Sequence, residues 1–479
     1  MRRLLPPGPK KRPIVGNLFD MPTRPWDACT DWSKEYDSDI IHLDMAGQSM
    51  VVLSSVEATQ ELLEKRSSMY SDRPPFPMVN DLMRWDFNLP FMRYGEQWRA
   101  HRRLFSEEFN MVAAQSFHQV ERTAAHTLLR RLLADPAGFR GYLRQMTGEV
   151  IIGMTYGFEV QPKDDPYIAL TESAIKYLAA ARVPGKFFVD SIPLLKYIPE
   201  WFPGAAFQRF AKEGRVWSEK LREIPFEETK RRMAAGEASP CFTTKALHAL
   251  EGEGRKTYYD ETTVKNVAAA MYAAGADTTT TALYTFFLAM LANPEAQRKA
   301  QEEIDRVVGG LPDFETHKDE LPYVAALIKE VLRWKSVLPL GVQHYTNEKD
   351  MYGGYLIPAG SLVIGNVWAI LHDEKVYPDP HTFNPERFLG ANPQPDPNAA
   401  FGFGRRICPG RHVATDSIWI AVVSVLAMFN ITKEVSEDGE VVEPSYQYEG
   451  GAILAPLPFR CTITPRSAEA VRVVEGTGV

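Results

Sequence analysis

Cysteine is scarce in this chain. Its 479 residues hold four, Cys29, Cys241, Cys408 and Cys461, far apart and with no CxxC pair. That spacing argues against a disulfide framework and against a cysteine-rich zinc site, and scattered thiols in a chain this size fit a reducing compartment. An apolar run of signal-peptide length is missing from the amino terminus, which is basic and carries Pro6, Pro7, Pro9 and Pro13, the signature of a stiff extended segment. Positive charge is not in excess: 54 Lys and Arg against 61 Asp and Glu leave a net −7, which disfavours nucleic-acid binding. Internal repeats and low-complexity linkers are absent too. With 45% hydrophobic and 24% charged residues the chain is globular, which excludes disorder, collagen and coiled coil.

From Asn266 to Pro294 the only charged residue is Asp277. The length would suffice for a membrane span. However, the centre, Ala274-Gly275-Ala276-Asp277-Thr278-Thr279-Thr280-Thr281, would place an acid and four threonines at mid-membrane, a costly arrangement. A helix through a large soluble domain fits better, capped by Asp260 or a neighbour and ended by Asn293-Pro294. The pattern predicts a mainly α protein with a small β portion. Helices dominate from Thr123 onward, with one opening at Pro322 and a last apolar one from about Arg411 to Phe429. Two short strands are expected in Gly354–Asn366, and a further short sheet over GAILAPLPFRCTITP. His372 to Cys408 reads as one long irregular passage, rich in Pro, Gly and Asn yet full of aromatics, and loops of that length are usually functional.

Cys408 closes that passage within Phe401-Gly402-Phe403-Gly404-Arg405-Arg406-Ile407-Cys408-Pro409-Gly410, just before the last helix. A helix amino terminus and the neighbouring Arg406 are expected to lower its thiol pKa. Such a thiolate could serve as a nucleophile, a metal ligand or an axial ligand to haem iron, whereas a lone cysteine is most often a small buried apolar residue. A phosphate site is disfavoured, because the third glycine of a dinucleotide loop, a following Lys-Ser/Thr and a preceding βαβ strand are all missing.

The loop resembles the haem-binding segment of cytochrome P-450, Phe-x-x-Gly-x-Arg-x-Cys-x-Gly, with Phe401, Gly404, Arg406, Cys408 and Gly410 at the five fixed positions. Three further motifs match in order, so the resemblance covers nearly the whole chain, and its wording is similar to fungal microsomal members. Glu330-x-x-Arg333 and Pro385-Glu386-Arg387-Phe388 resemble the pair of segments that implies a buried Glu330–Arg333–Arg387 network behind the haem. Ala274 to Thr279 resembles the oxygen-activating helix, which implies small residues beside dioxygen and a proton relay through Asp277 and Thr278. Trp98-x-x-x-Arg102 resembles the pair that donates to a haem propionate, with His344 and Arg406 implied as further donors.

The resemblance implies a cytochrome P-450 fold, a triangular helical domain around a buried haem, with residues 1–18 a proline-rich hinge and 19–479 a single catalytic domain. It implies haem b as cofactor with Cys408 as axial thiolate, O2 as co-substrate, and electrons from NADPH through NADPH-cytochrome P-450 reductase, with cytochrome b5 as a further donor. The implied reaction is monooxygenation of a lipophilic small molecule of terpenoid, polyketide, fatty-acid or aromatic type. Substrate-pocket positions follow as Phe76, Met78, Leu82, Trp85, Ala273, Ala274, Leu338, Leu340, Val342, Ile453 and Leu454. The aromatic stretch Phe187–Phe202 is expected to be an access lid touching the membrane. Arg99, His101, Arg102, Arg103, Arg405, Arg406 and Arg411 are expected to offer a basic face to an acidic partner. A monomer on the cytosolic face of the endoplasmic reticulum, with an anchor before Pro6 in the full-length protein, completes the implication. The rivals are a haem-thiolate isomerase or dehydratase acting on peroxides, which typically lacks the acid–threonine pair, and a non-catalytic haem protein, which needs a second ligand that Gly275 and Ala276 do not offer.

Overall fold

The computed structural model describes residues 4–183, 185–251 and 258–478. Near the amino terminus, strands β1 (Ile40–Met45) and β2 (Gln48–Leu53) form an antiparallel hairpin. The helical body follows: α1 (Glu96–Phe109), α2 (His118–Ala134), α3 (Phe139–Tyr156), α4 (Pro166–Ala181), α5 (Ala206–Ala235), α6 (Glu261–Ala292), α7 (Pro294–Val307) and α8 (Pro322–Trp334). Helix thus begins well before Thr123. Strands β3 (His344–Tyr345) and β4 (Leu362–Gly365) complete a four-stranded sheet in the order β1-β2-β4-β3, with β4 parallel to β2 and antiparallel to β3. Helix α9 (Arg411–Met428) follows the Cys408 loop, and β5 (Phe429–Thr432) pairs with β6 (Thr462–Pro465).

Helices α6 and α9 carry apolar residues on every side and are accordingly buried. In α6, Asp260 caps the start, its carboxylate accepting from the Thr263 N–H, and Asn293 closes the end. It packs against α3 and α9 in the centre of the main core. Among the described residues only α9 is long and apolar enough to cross a membrane, and most of it is buried inside the protein.

The strands of Gly354–Asn366 form, but in different sheets: Tyr355–Ile357 pairs with Asp350–Tyr352, whereas β4 joins β2. One expectation needs correction, the sheet over GAILAPLPFRCTITP. Most of GAILAPLPFRCTITP is irregular, and strand appears only from Thr462, because Pro456 and Pro458 lack the N–H a ladder needs. The described part of the proline-rich segment lies against the body. The Pro7 carbonyl accepts from the His42 N–H, the Leu4 carbonyl accepts from the Leu356 N–H, and Gly16 bridges to Met45.

Candidate active site

An interior cavity of about 280 Å³ lies between α6, the Cys408 loop and the start of α9. Its lining includes Cys408, Phe401, Arg406 and Gly410 from the loop, Trp98 and Arg102 from α1, and Ala274, Gly275, Thr278 and Thr279 from α6. Segments spread from Trp98 to Gly410 thus meet in one space.

The loop holds Cys408 by backbone geometry. Its N–H donates to the Phe401 carbonyl at 2.8 Å, closing the turn that presents the sulfur. Gly404 sits at φ +54°, and a Cβ there would run into the Leu63 carbonyl oxygen, so only glycine fits. The expectation of a depressed thiol pKa is not met. Burial raises it, and the Gly410 N–H, Arg102 and Arg411 oppose the rise without cancelling it; Arg406 is not among the causes. A buried neutral thiol is a poor nucleophile, but a coordinated metal deprotonates such a thiol outright. The donor chemistry therefore fits an iron ligand better than a free thiolate. Cys29 and Cys461 are inert by the same burial, both pushed up to about 12.

The cavity also carries a collection of buried cations. Arg102, Arg406 and Arg73 all line it. Arg406 donates to the carbonyls of Ser71, Leu89 and Met92, and burial pushes its guanidinium down to about 9. Arg102 donates to the Ile407 carbonyl at 2.5 Å. Arg73, which sequence reading missed, donates to the carbonyls of Pro90, Val342 and Gln343; burial and the guanidiniums of Arg406 and Arg182 push it far below its ordinary value. Its neighbour Asp72 is engaged by Arg93 and Asn347. The signal for Arg73 was a charged pair, Asp72-Arg73, set between Tyr70-Ser71 and Pro74-Pro75-Phe76. The Trp98 Nε1–H is buried with no acceptor. An unsatisfied indole donor beside an excess of buried positive charge calls for an anion, and the two carboxylates of haem b fit that demand. His344 lines the same cavity. Its Nδ1 donates to the Tyr70 carbonyl at 2.8 Å, and burial, Arg73 and Arg406 lower its pKa in the absence of an anion.

On α6 the acid and the threonine diverge. Thr278 lines the cavity and back-bonds to the Ala274 carbonyl at 2.8 Å, and the helix continues unbroken. Asp277 is not among the lining residues. It faces Arg144 of α3 at 3.5 Å, because consecutive helical residues point in different directions. Burial raises its pKa; Arg144 lowers it and Glu172 adds to the rise. Gly275 serves packing as well as space: a Cβ there would meet the Ile151 side chain at 2.7 Å.

Glu330, Arg333 and Arg387 meet in a fully buried network. Arg333 forks onto Glu330 at 2.7 and 2.9 Å, and Arg387 Nε reaches the same carboxylate at 3.1 Å. The remaining donors hold the long loop by its carbonyls, Arg333 on Leu371 and Pro380, Arg387 on Pro378 and Thr382. The passage from His372 to Cys408 is thus ordered by side chains rather than by a ladder.

Of the expected substrate positions, Ala274, Leu338, Leu340 and Val342 line the cavity. Phe76, Met78, Leu82, Trp85, Ala273, Ile453 and Leu454 are not among its lining residues. Pro77–Leu82 forms a short, wide π-helical turn packed against α5 and the Pro193–Tyr197 turn, and Trp85 stacks on Phe87 at 5.5 Å. Leu454 packs with Trp26 and Trp368 in a separate cluster. Ala273 is buried within α6, one residue before Ala274 on the cavity face. Leu89 and Pro90 line the cavity instead. The basic face is also smaller than expected. His101 is buried, Arg411 is half-buried, and Arg102 and Arg406 line the cavity, leaving Arg99, Arg103 and Arg405 exposed.

Comparison with known proteins agrees with this geometry. The cytochrome P450 family model matches residues 6–461. A cytochrome P450 monooxygenase of Armillaria gallica is 43% identical over 98% of this chain and 93% of its own length. Cytochrome P450 monooxygenase 98 of Postia placenta is 44% identical, over 98% and 92%. Tryptamine 4-monooxygenase of Psilocybe cyanescens is 39% identical, over 99% and 96%. The chain belongs to the cytochrome P450 family: it is a monooxygenase that uses haem b, O2 and electrons from a redox partner.

Proposed function

We propose that this monooxygenase inserts one oxygen atom into a neutral lipophilic small molecule, by hydroxylation or epoxidation, while resting on a membrane surface. The observation that carries the reading is the cavity lining. Away from the buried arginines it is mainly apolar, with Leu89, Ala270, Leu338, Leu340 and Val342 beside a few hydroxyls and His344, and no carboxylate lies among the described lining residues. An ammonium group entering it would lose its hydration without gaining a counter-charge. A protonated amine is therefore disfavoured, and a terpenoid-, polyketide- or aromatic-type substrate is favoured.

When bound, haem supplies the dioxygen activation; Cys408 would hold the iron, and Trp98, Arg102, Arg406 and Arg73 the propionates. Thr278 presents its hydroxyl to the cavity. Asp277 takes protons from the solvent side past Arg144 and passes them to that hydroxyl through a side-chain rotation or a bridging water. Glu330, Arg333 and Arg387 keep the Cys408 loop in place, within a single catalytic domain spanning 19–479. NADPH-cytochrome P-450 reductase or cytochrome b5 docks on Arg99, Arg103 and Arg405. The exposed Phe188, Leu194, Tyr197 and Trp201, the last 80% accessible, favour a lid that rests on the cytosolic face of the endoplasmic reticulum.

The test is a panel titration of the ferric protein, following the Soret shift as a ligand displaces iron-bound water. Neutral terpenoids and aromatics are expected to shift it. A panel in which only protonated amines do so would overturn the substrate reading. Cys408→Ser should lose the red-shifted carbon-monoxide band of a thiolate-ligated haem, and its persistence would overturn the ligand assignment.

A further inference from the structure

We propose that His118, Glu121 and Asp416 form a divalent-cation site, best matched to zinc, that staples α2 to α9. The three side chains are buried, at 8, 0 and 6% exposure, and one ligand atom from each lies within 4.8 Å of the others. His118 and Glu121 stand three apart on one face of α2, and Asp416 comes from the first turns of α9.

A second observation points to a missing partner. Glu121 Oε1 accepts from Ser417 Oγ at 2.6 Å, but Glu121 Oε2 is buried with no hydrogen-bond partner. An orphaned carboxylate oxygen costs free energy that a cation would recover. The surroundings suit a metal. His118 Nε2 lies 3.4 Å from Asp416 Oδ2, close enough for both to bind one ion. Its Nδ1 lies 3.3 Å from Glu315 Oε1, the carboxylate–imidazole contact that orients a ligating histidine. One nitrogen and two carboxylates match zinc, which is commonly four-coordinate with such donors, leaving a fourth position for water.

Lys318 Nζ now pairs with Asp416 Oδ1, so the cluster already holds one cation. Its side chain is 34% exposed and Glu315 is 63% exposed. The ammonium can therefore withdraw to solvent along the path by which an ion enters. Arg122 stands outside, paired with Asp313 and 3.8 Å from Glu315 Oε2.

The experiment uses the purified holoprotein, stripped with a chelator and dialysed against zinc chloride. Zinc is counted per haem iron by mass spectrometry, and affinity is read by competition with a chromogenic chelator. Wild type should retain stoichiometric zinc, and Glu121→Gln and Asp416→Asn should lose it. Glu315→Gln should weaken binding about 10–100-fold. Lys318→Met should bind zinc more tightly, the opposite of what loss of a purely structural ammonium would do. Carbon-monoxide spectra check that each variant keeps its haem. Wild type that holds no more zinc than the Glu121→Gln/Asp416→Asn double variant overturns the site. Lys318→Met with unchanged or weaker zinc affinity overturns it too, and uptake of calcium but not zinc overturns the choice of metal.

Discussion

Glu330→Gln is the most informative substitution outside the cavity. Glu330 and Arg333 have no exposed side-chain surface and Arg387 has 2%, so this site holds two guanidiniums against one carboxylate. The substitution removes that negative charge. It also turns an amide N–H₂ toward Arg333 or Arg387, a donor against a donor, and weakens the acceptor that holds the Asn384 N–H at 2.8 Å. Breaking a buried pair by removing one partner costs about 3–5 kcal/mol. That is a large part of a typical total stability of about 5–15 kcal/mol. Arg333→Met should cost less, because Arg387 still balances Glu330, although the Leu371 and Pro380 carbonyls lose their donor. Chemical denaturation followed by circular dichroism gives the ranking. The carbon-monoxide band reports in parallel whether the loop still delivers Cys408. Glu330→Gln within about 1 kcal/mol of wild type, or less harmful than Arg333→Met, would refute the charge argument.

Asp277→Asn should separate stability from turnover. Burial raises the Asp277 pKa above 3.8, so its stabilising contribution is complete below pH 3.8 and is lost as pH rises through the raised value. The variant should therefore show a flatter stability–pH profile above pH 3.8 and slower turnover; an unchanged profile would count against a strained acid. Gly404→Ala must drive its Cβ into the Leu63 carbonyl oxygen, with about 1–2 kcal/mol of left-handed strain besides. Haem content per chain should fall sharply, and normal content would contradict the geometry. Trp98→Phe keeps an aromatic side chain but removes the unsatisfied Nε1 donor, so haem should pass faster to a scavenger protein; an unchanged rate would remove Trp98 from the propionate site. Trp201→Ser with Phe188→Ser should reduce co-sedimentation with lipid vesicles, and equal binding would place the membrane contact elsewhere.

Much of the site was legible because its chemistry is local. The Cys408 loop needs a positive-φ glycine at Gly404, an aromatic at Phe401 and a thiol within ten consecutive residues, and a pattern that dense shows in the chain itself. The α6 helix was legible from its caps and from a stretch, Asn266 to Pro294, whose only charge is Asp277. The substrate wall was not. Phe76 to Trp85 and Leu89 to Pro90 both offer large apolar side chains, and only packing of the Pro77–Leu82 turn against α5 decided which run meets the cavity. Arg73 was missed for a related reason: a single arginine beside an aspartate reads as a surface pair until its carbonyl partners from Pro90, Val342 and Gln343 are known.

The amino-acid sequence by itself determined the family, the thiol that lines the cavity and the mainly helical class, because each depends on residues close together in the chain or on periodicity along it. Tertiary structure alone decided the rest. It raised the Cys408 pKa by burial where a helix terminus and arginines would have lowered it. It lowered the His344 pKa by burial beside two guanidiniums, and it turned Asp277 toward Arg144 while Thr278 lines the cavity. Charge states and side-chain directions depend on desolvation and on neighbours hundreds of residues away, and no local pattern encodes them.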